Sequence, residues 1–407
     1  MALIRFRTIP NETVKFKNYN CSMRVPVAIY ADFESYIKPI TTCEPSSDHS
    51  YTKRYQQHVA NSFCIYAKPS DDVIEARGEL PNNLISYTDV RGVDCNVGEL
   101  FIKSLEELAV AIYNTYEAEK YDMLFTSDDE LDYNNATHCH ICNLPLATGG
   151  HASNDDITVR DHCHNDDITV RDHCHITGKY RGAAHKSCNL NYKLPRFYPV
   201  IMHNLSGYDV HLFIKHLGGT CGAGEVKVIP QTDERYITIS KEVEVGKDKG
   251  KSIKRELRFI DSFKFMPSSL DSLLDNINSY PNLEKFYQGN QLKLLLEKGV
   301  YPYDYVDNVE VFDEDKLPPQ EAFYSQLKDC DISDKEYKHA CNVWEAFNCK
   351  TFRDYHFLYN RADVLQLADI FEGFRDVCMK NYKLDPIWYY TSPGLAWDAC
   401  LKQLRLN

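Results

Sequence analysis

The order of apolar and polar positions sets out the principal elements of this chain. Pro26-Val27-Ala28-Ile29-Tyr30 is a short unbroken apolar run, the pattern of a strand buried on both faces. It delivers Ala31-Asp32-Phe33-Glu34-Ser35 at its C-terminal end. Pro199-Val200-Ile201-Met202 is a second such run. A turn at Ser206-Gly207 follows it, and then an apolar helical stretch from Val210 to Leu217. Between Thr232 and Phe265 the alternation suits a β-meander, with a charged hairpin at Gly246-Lys247-Asp248-Lys249-Gly250. Residues 317–348 read as helical, entered through Leu317-Pro318-Pro319. From Tyr355 to Tyr382 the spacing of Leu358, Leu365, Leu367, Ile370, Phe371, Phe374 and Cys378 predicts a long helix. Strands and helices so mixed indicate an α/β fold.

Acidic residues fall at informative places in this frame. Asp32 and Glu34 close the first strand, Asp209 closes His203-Asn204-Leu205-Ser206-Gly207-Tyr208-Asp209, and Asp363 closes Tyr359-Asn360-Arg361-Ala362-Asp363. Hard divalent cations are held by carboxylate oxygens. Two such ions about 3.5–4 Å apart are the usual means of hydrolysing a phosphodiester. An Asp-x-Glu on a strand with two distant aspartates can supply that clamp, with magnesium as the expected ion and manganese as a substitute. Tyr359 lies at i and Asp363 at i+4 of one helix face, so its hydroxyl can orient a water. Dispersed surface charge is the bland alternative for any one of these motifs alone.

A second constellation lies between the first two acidic motifs. Cys139-x-x-Cys142 precedes His185-x-x-Cys188, with Asp172-His173-Cys174-His175 between them. Two short-spaced pairs separated by a few dozen residues suit one four-coordinate structural zinc. Free thiols in a reducing compartment are the alternative. Residues 176–199 hold Lys179, Arg181, Lys186, Lys193 and Arg196 and no acid, interleaved with Tyr180, Tyr192, Phe197 and Tyr198. Positive charge mixed with aromatic faces suits a phosphate backbone and splayed bases, although a solvated basic loop has the same composition. Asn154 to His164 recurs without change at Asn165 to His175. Only the second copy runs on into Ile176-Thr177-Gly178-Lys179, so it is expected in the zinc region, while the first loops out.

The acidic motifs resemble the first, second and third exonuclease motifs of the proofreading domain of family B DNA polymerases. The branch they resemble is protein-primed, of the Maverick/Polinton transposon type. Val200 to Asp209, Arg258-Phe259-Ile260-Asp261-Ser262-Phe263, Lys298-Gly299-Val300-Tyr301-Pro302-Tyr303-Asp304 and Tyr389 to Asp398 carry the likeness. It runs from about residue 25 to about residue 402 and is weakest over 40–135. The resemblance implies a ribonuclease H-like 3′–5′ exonuclease with Asp32, Glu34, Asp209 and Asp363 on two magnesium ions and Tyr359 beside them. It implies the single-stranded primer 3′ end as substrate, placed by Asn204 and Tyr208. Ser269 and Leu270 match a motif that grips the primer end and a terminal protein. Read from local pattern alone, the same segment is a helix start with Ser268 as N-cap. Polymerase palm motifs do not occur in the sequence, so no nucleotide addition is expected of this chain.

Asp172-His173-x-His175 with Arg181-Gly182 and Cys188-Asn189 resembles the endonuclease VII branch of the ββα-metal (HNH) nucleases. That resemblance implies His173 as general base, with His175 beside it, Asp172 and Asn189 as ligands of one cation, and Lys179 and Arg181 on DNA. Histidine at 185 replaces the usual third cysteine, and it remains a competent zinc ligand. The alternatives to an exonuclease are therefore an endonuclease carried by the insert, or a zinc-stabilised DNA-binding remnant without activity.

Composition narrows the setting. The chain has 407 residues, 43% of them hydrophobic, enough for two or three domains with real cores. The expected organisation is a lead-in at 1–24, a first exonuclease part at 25–133, a zinc insert at 134–196, a second exonuclease part at 197–385, and a polymerase-leading region at 386–407. No apolar run is long enough to span a membrane, and no signal peptide opens the chain. The 15 cysteines form no compact framework, which argues for a reducing intracellular compartment such as a nucleus or viral factory. A net charge of −13 is unusual for a DNA binder. It predicts binding that is weak without divalent ions and steeply salt-sensitive.

Overall fold

A computed structural model describes residues 14–40, 56–93, 95–146, 168–218, 224–232, 235–326 and 329–404. Nine strands occur among them: β1 (Val27–Pro39), β2 (Gln56–Pro69), β3 (Leu84–Thr88), β4 (Thr169–His173), β5 (Tyr180–His185), β6 (Phe197–Met202), β7 (Val226–Pro230), β8 (Tyr236–Asp248) and β9 (Lys251–Asp261). Seven of them form one mixed sheet in the order β3-β2-β1-β6-β9-β8-β7. β1 pairs with β6 and β6 with β9 in parallel, and the remaining pairs of this sheet are antiparallel. β4 and β5 make a separate antiparallel hairpin.

Period-two alternation along β1 divides the core between the two faces of the sheet. Val27, Ile29, Ala31 and Phe33 join Phe63, Phe101, Phe213 and Phe259 on one side, under the helix Val97–Ile112. Ala28, Tyr30 and Tyr36 join Tyr66, Ile201, Ile260 and the buried side of the 31-residue helix Phe352–Tyr382 on the other. Asp32 and Glu34 have the parity of Tyr30, so they face the long helix. Thr351 starts that helix with a capping box to Asp354, and Lys383 ends it at φ 54.

Several local expectations shift. β1 does not stop at Tyr30 but continues to Pro39, so Asp32 and Glu34 lie mid-strand. A β-bulge between Glu34 and Ser35 leaves Asn61 as the extra residue of β2. Thr232 to Phe265 holds the hairpin β8–β9, which turns at Lys249 (φ 48) and Gly250 (φ 80), and the meander is completed by β7, which lies before the expected range. The expected helix at 317–348 is α-helical only over Asp334–Ala346, preceded by a 3₁₀ turn at Gln320–Phe323. Two prolines at its entry disfavour a helix there, and in mid-segment Ser325 and Cys330 exchange backbone hydrogen bonds as an isolated antiparallel bridge instead. Ser269, rather than Ser268, caps the helix Leu270–Leu274, its hydroxyl accepting from Ser272 N at 3.2 Å. The first copy of the tandem repeat lies outside the described residues.

The hairpin β4–β5 and the short helix Lys186–Asn191 follow one another directly. They bury a small cluster of their own, with Tyr133, Cys139, Leu146, Ala183 and Ala184 at its centre. Ile387, Tyr389, Leu395 and Ala399 of the C-terminal segment belong to the same core as the long helix. Among the described residues no helix is long and apolar enough to cross a membrane.

Candidate active site and metal centre

The strand β1 and the long helix bring Asp32, Glu34 and Asp363 together. Each offers a carboxylate oxygen, and these oxygens lie within 4.8 Å of one another. Burial and mutual repulsion oppose so much negative charge. Burial, then Asp363, pushes Asp32 up to about 7, with Lys298 working the other way. Burial, then Asp32 and Asp363, raises Glu34 well above the carboxylate range. Lys298 Nζ donates to Asp363 Oδ2 at 2.5 Å and lies 5.3 Å from the centre of the Tyr359 ring. Burial opposes the lysine's charge, and Asp363 more than offsets that. Asp363 Oδ1 is buried without a hydrogen-bond partner. One ammonium among three clustered carboxylates, with one oxygen left unpartnered, is a donor set that suits hard divalent cations.

Asp209 stands beside this triad but outside its 4.8 Å group. It is buried ahead of the short helix Val210–Phe213, and burial with Asp32 and Asp261 raises its carboxyl well above the usual range. Asp261, at the end of β9, holds the intervening loop by accepting from Ser206 N at 3.0 Å, Ser206 Oγ at 2.7 Å and Phe263 N at 3.1 Å. Asn204 in that loop is exposed, at φ 59, and Gly207 sits against its side chain. A side chain at 207 would meet Asn204 Oδ1 at 2.5 Å. Tyr208 Oη lies 2.5 Å from Ser35 Oγ and 2.8 Å from His58 Nδ1.

Tyr359 is buried one turn before Asp363, and its hydroxyl is 2.6 Å from Tyr303 Oη. Its ring stacks on Tyr301 at 4.7 Å. Gly299 lies against the same ring, where a Cβ would come within 2.7 Å. Lys298, Tyr301 and Tyr303 therefore build the wall of the site. Sequence reasoning did not assign them, because nothing local marks a lysine before an aromatic run as the partner of an aspartate 65 residues away. Ser269 is occupied by its own helix cap, and Leu270 is buried in the core.

The second centre is compact. Cys139, Cys142, His185 and Cys188 bring their ligand atoms within 4.8 Å of one another, so they could hold one zinc ion. His185 Nδ1 faces Cys142 Sγ at 3.4 Å and Cys188 Sγ at 3.8 Å. His185 Nε2 donates to the Pro145 carbonyl at 3.0 Å, which leaves Nδ1 as the lone-pair nitrogen towards the sulfurs. Burial and the neighbouring thiols push Cys188 up to about 12, a crowding that a cation relieves.

The other insert residues are placed less openly than the sequence suggested. Asp172, 2% exposed, accepts from His140 Nε2 at 2.9 Å and Arg181 Nη2 at 2.7 Å. Burial raises its carboxyl, but those two partners outweigh it and hold it below the usual range. Both oxygens are thus engaged inside the protein. His173 and His175 are edge to face at 4.5 Å, and Asn189 is half-buried on the helix Lys186–Asn191. Arg181 stacks over Tyr192, and Lys179 pairs with Glu75 at 2.6 Å, so neither expected DNA contact is an unpaired cation.

No family model, curated protein or solved structure matches this chain.

Proposed function

We propose that this chain is a divalent-metal-dependent 3′–5′ exonuclease acting on single-stranded DNA, the proofreading part of a replicative polymerase system. The observation that carries this reading is the convergence of Asp32, Glu34 and Asp363 within 4.8 Å, from segments far apart in sequence. Asp209 completes the acidic set from the neighbouring loop. Two magnesium or manganese ions held by these carboxylates would supply Lewis acidity at a phosphodiester.

The protein's own groups have separable tasks. Tyr359, its hydroxyl fixed by Tyr303, orients an attacking water, and its high proton affinity keeps that hydroxyl a neutral donor and acceptor. Lys298 holds Asp363 and offsets part of the repulsion within the acidic cluster when metal is scarce. Tyr208 and Asn204 line the approach for the primer end. A fold of the ribonuclease H type accommodates the central β1, β6 and β9 order and the flanking helices. A terminal protein is the second expected partner, and the setting is intracellular.

The zinc insert is assigned a stapling role within this reading. Its order of hairpin, then helix, with ligands on both, is compatible with a ββα-metal module. An endonuclease in the insert is disfavoured because Asp172 is already held by His140 and Arg181. A 5′-labelled single strand incubated with the purified chain in magnesium should shorten stepwise from its 3′ end. Chelation should stop the reaction, and His173→Ala should leave it unchanged. A product ladder lost equally in His173→Ala and Asp363→Ala would defeat the assignment.

A further inference from the structure

Tyr208 has more contacts than the proposed reaction explains. Its hydroxyl is shared between Ser35 Oγ at 2.5 Å and His58 Nδ1 at 2.8 Å. The His58 ring also stands edge to face with the Tyr208 ring, centroids 5.4 Å apart. Ser35 follows Glu34 directly at the β-bulge, where β2 gains Asn61. That extra residue sets the register in which His58 lies opposite Ile37, three residues beyond Glu34. The three groups thus join an exposed histidine on β2 to a serine adjoining a metal-site carboxylate, chiefly through the phenol, with a longer direct approach of Ser35 Oγ to His58 Nδ1 at 3.5 Å. Tyr208 belongs to the loop that ends in Asp209, so whatever fixes the phenol also fixes the end of that loop.

The surroundings of His58 favour a neutral ring. Burial lowers its proton affinity, and Asp304 opposes that only in part. A neutral Nδ1 accepts from the Tyr208 hydroxyl, which leaves the phenol oxygen to accept from Ser35. Asp304 lies in the same short 3₁₀ turn as Tyr303, the partner of Tyr359. His58 therefore sits where the loop carrying Tyr208 and the turn carrying Tyr303 approach the same strand. An imidazole that packs only for stability needs no alignment to a phenol that is itself aligned to a serine.

Resting on the exonuclease reading, we propose that His58 is a positioning residue. It holds the Tyr208 ring upright as a wall against which the terminal nucleotides of a single strand are seated. A fixed aromatic face stacks on any base, so the wall grips single-stranded DNA without choosing sequence. His58 acts on binding through Tyr208 and not on the bond that breaks.

Two measurements on the full chain test this. Steady-state cleavage of a short oligothymidylate in magnesium should show His58→Ala with KM raised about tenfold, the loss of one aligned hydrogen bond, and kcat within about twofold of wild type. His58→Asn, which keeps an acceptor near the Nδ1 position, should recover most of the loss. Tyr208→Phe should reproduce the KM effect, and adding His58→Ala to it should cost nothing more. Equilibrium binding of the same oligonucleotide in calcium, read by fluorescence anisotropy, should weaken in parallel. Unchanged KM and binding in His58→Ala, or a full further loss in the Tyr208→Phe background, would overturn the role. If wild type binds but does not cut, and His58→Ala binds less, the exonuclease reading falls and the wall stands. If wild type neither binds nor cuts, both fall.

Discussion

Single residues at the acidic cluster make distinguishable contributions. Asp363 is both a member of the triad and the partner of Lys298, so Asp363→Ala removes a ligand and strands a cation. It should lower exonuclease turnover by roughly 10²–10³-fold, as loss of a preorganised charge does. Tyr359→Phe keeps the ring on Tyr301 and removes only the hydroxyl shared with Tyr303, so about a tenfold loss is expected. Gly299→Ala should be worse for turnover than Tyr359→Phe, because its methyl would lie 2.7 Å from a ring held on two sides. Single-turnover rates in magnesium rank the three variants. Gly299→Ala turning over like wild type would show that the Tyr359 ring is free to move. Asp32, Glu34 and Asp363 were legible in the sequence because each motif carries its own neighbours. Lys298 and Tyr303 were not, because their meaning lies in a contact with Asp363 and Tyr359 that only tertiary packing makes.

Elements differ in how far they depend on metal. The seven-stranded sheet has an apolar core on each face, with the long helix buried against one of them. Among the described residues the insert has only five buried apolar residues at the centre of its cluster, too few to fold a hairpin and a six-residue helix unaided. Purified protein should therefore contain about one zinc per chain. Chelation should raise amide hydrogen exchange in β4, β5 and Lys186–Asn191 while β1, β6 and β9 stay protected. Uniform loss of protection across both sheets would show that the insert and the main sheet fold as one unit. The Cys and His spacing made this module legible, because ligand spacing is a local property. The strand order β3-β2-β1-β6-β9-β8-β7 was not legible, because β1 and β6 pair across the whole insert. Local patterning also overstated the helix at 317–348, where prolines and polar turns outweigh helical spacing.

For the whole molecule, the core beneath the active-site wall couples stability to pH. His356 is fully buried, with Nε2 2.8 Å from Ser62 Oγ and Nδ1 2.6 Å from Tyr301 Oη. It therefore joins the long helix to β2 and to the tyrosine that supports Tyr359. Burial, aided by Arg353, lowers its pKa from 6.5 to about 3, so the folded protein keeps it neutral. The unfolded chain takes up a proton on this ring near pH 6.5 and the folded chain does not. The stability it contributes is present above pH 6.5 and is lost as pH falls towards 3, amounting to about 2 kcal/mol between pH 7.5 and 5. Asp32, raised to about 7 by burial and Asp363, titrates with the opposite sign, so the wild-type curve alone does not isolate the histidine. His356→Gln does isolate it, because glutamine can accept from Tyr301 and donate to Ser62 without titrating. Urea unfolding at pH 7.5, 6 and 5 should show the variant losing about 2 kcal/mol less than wild type over that interval, whatever its absolute stability. Parallel curves for the two proteins would mean that protonated His356 finds a partner in the folded core, and that the tyrosine wall does not depend on its neutrality.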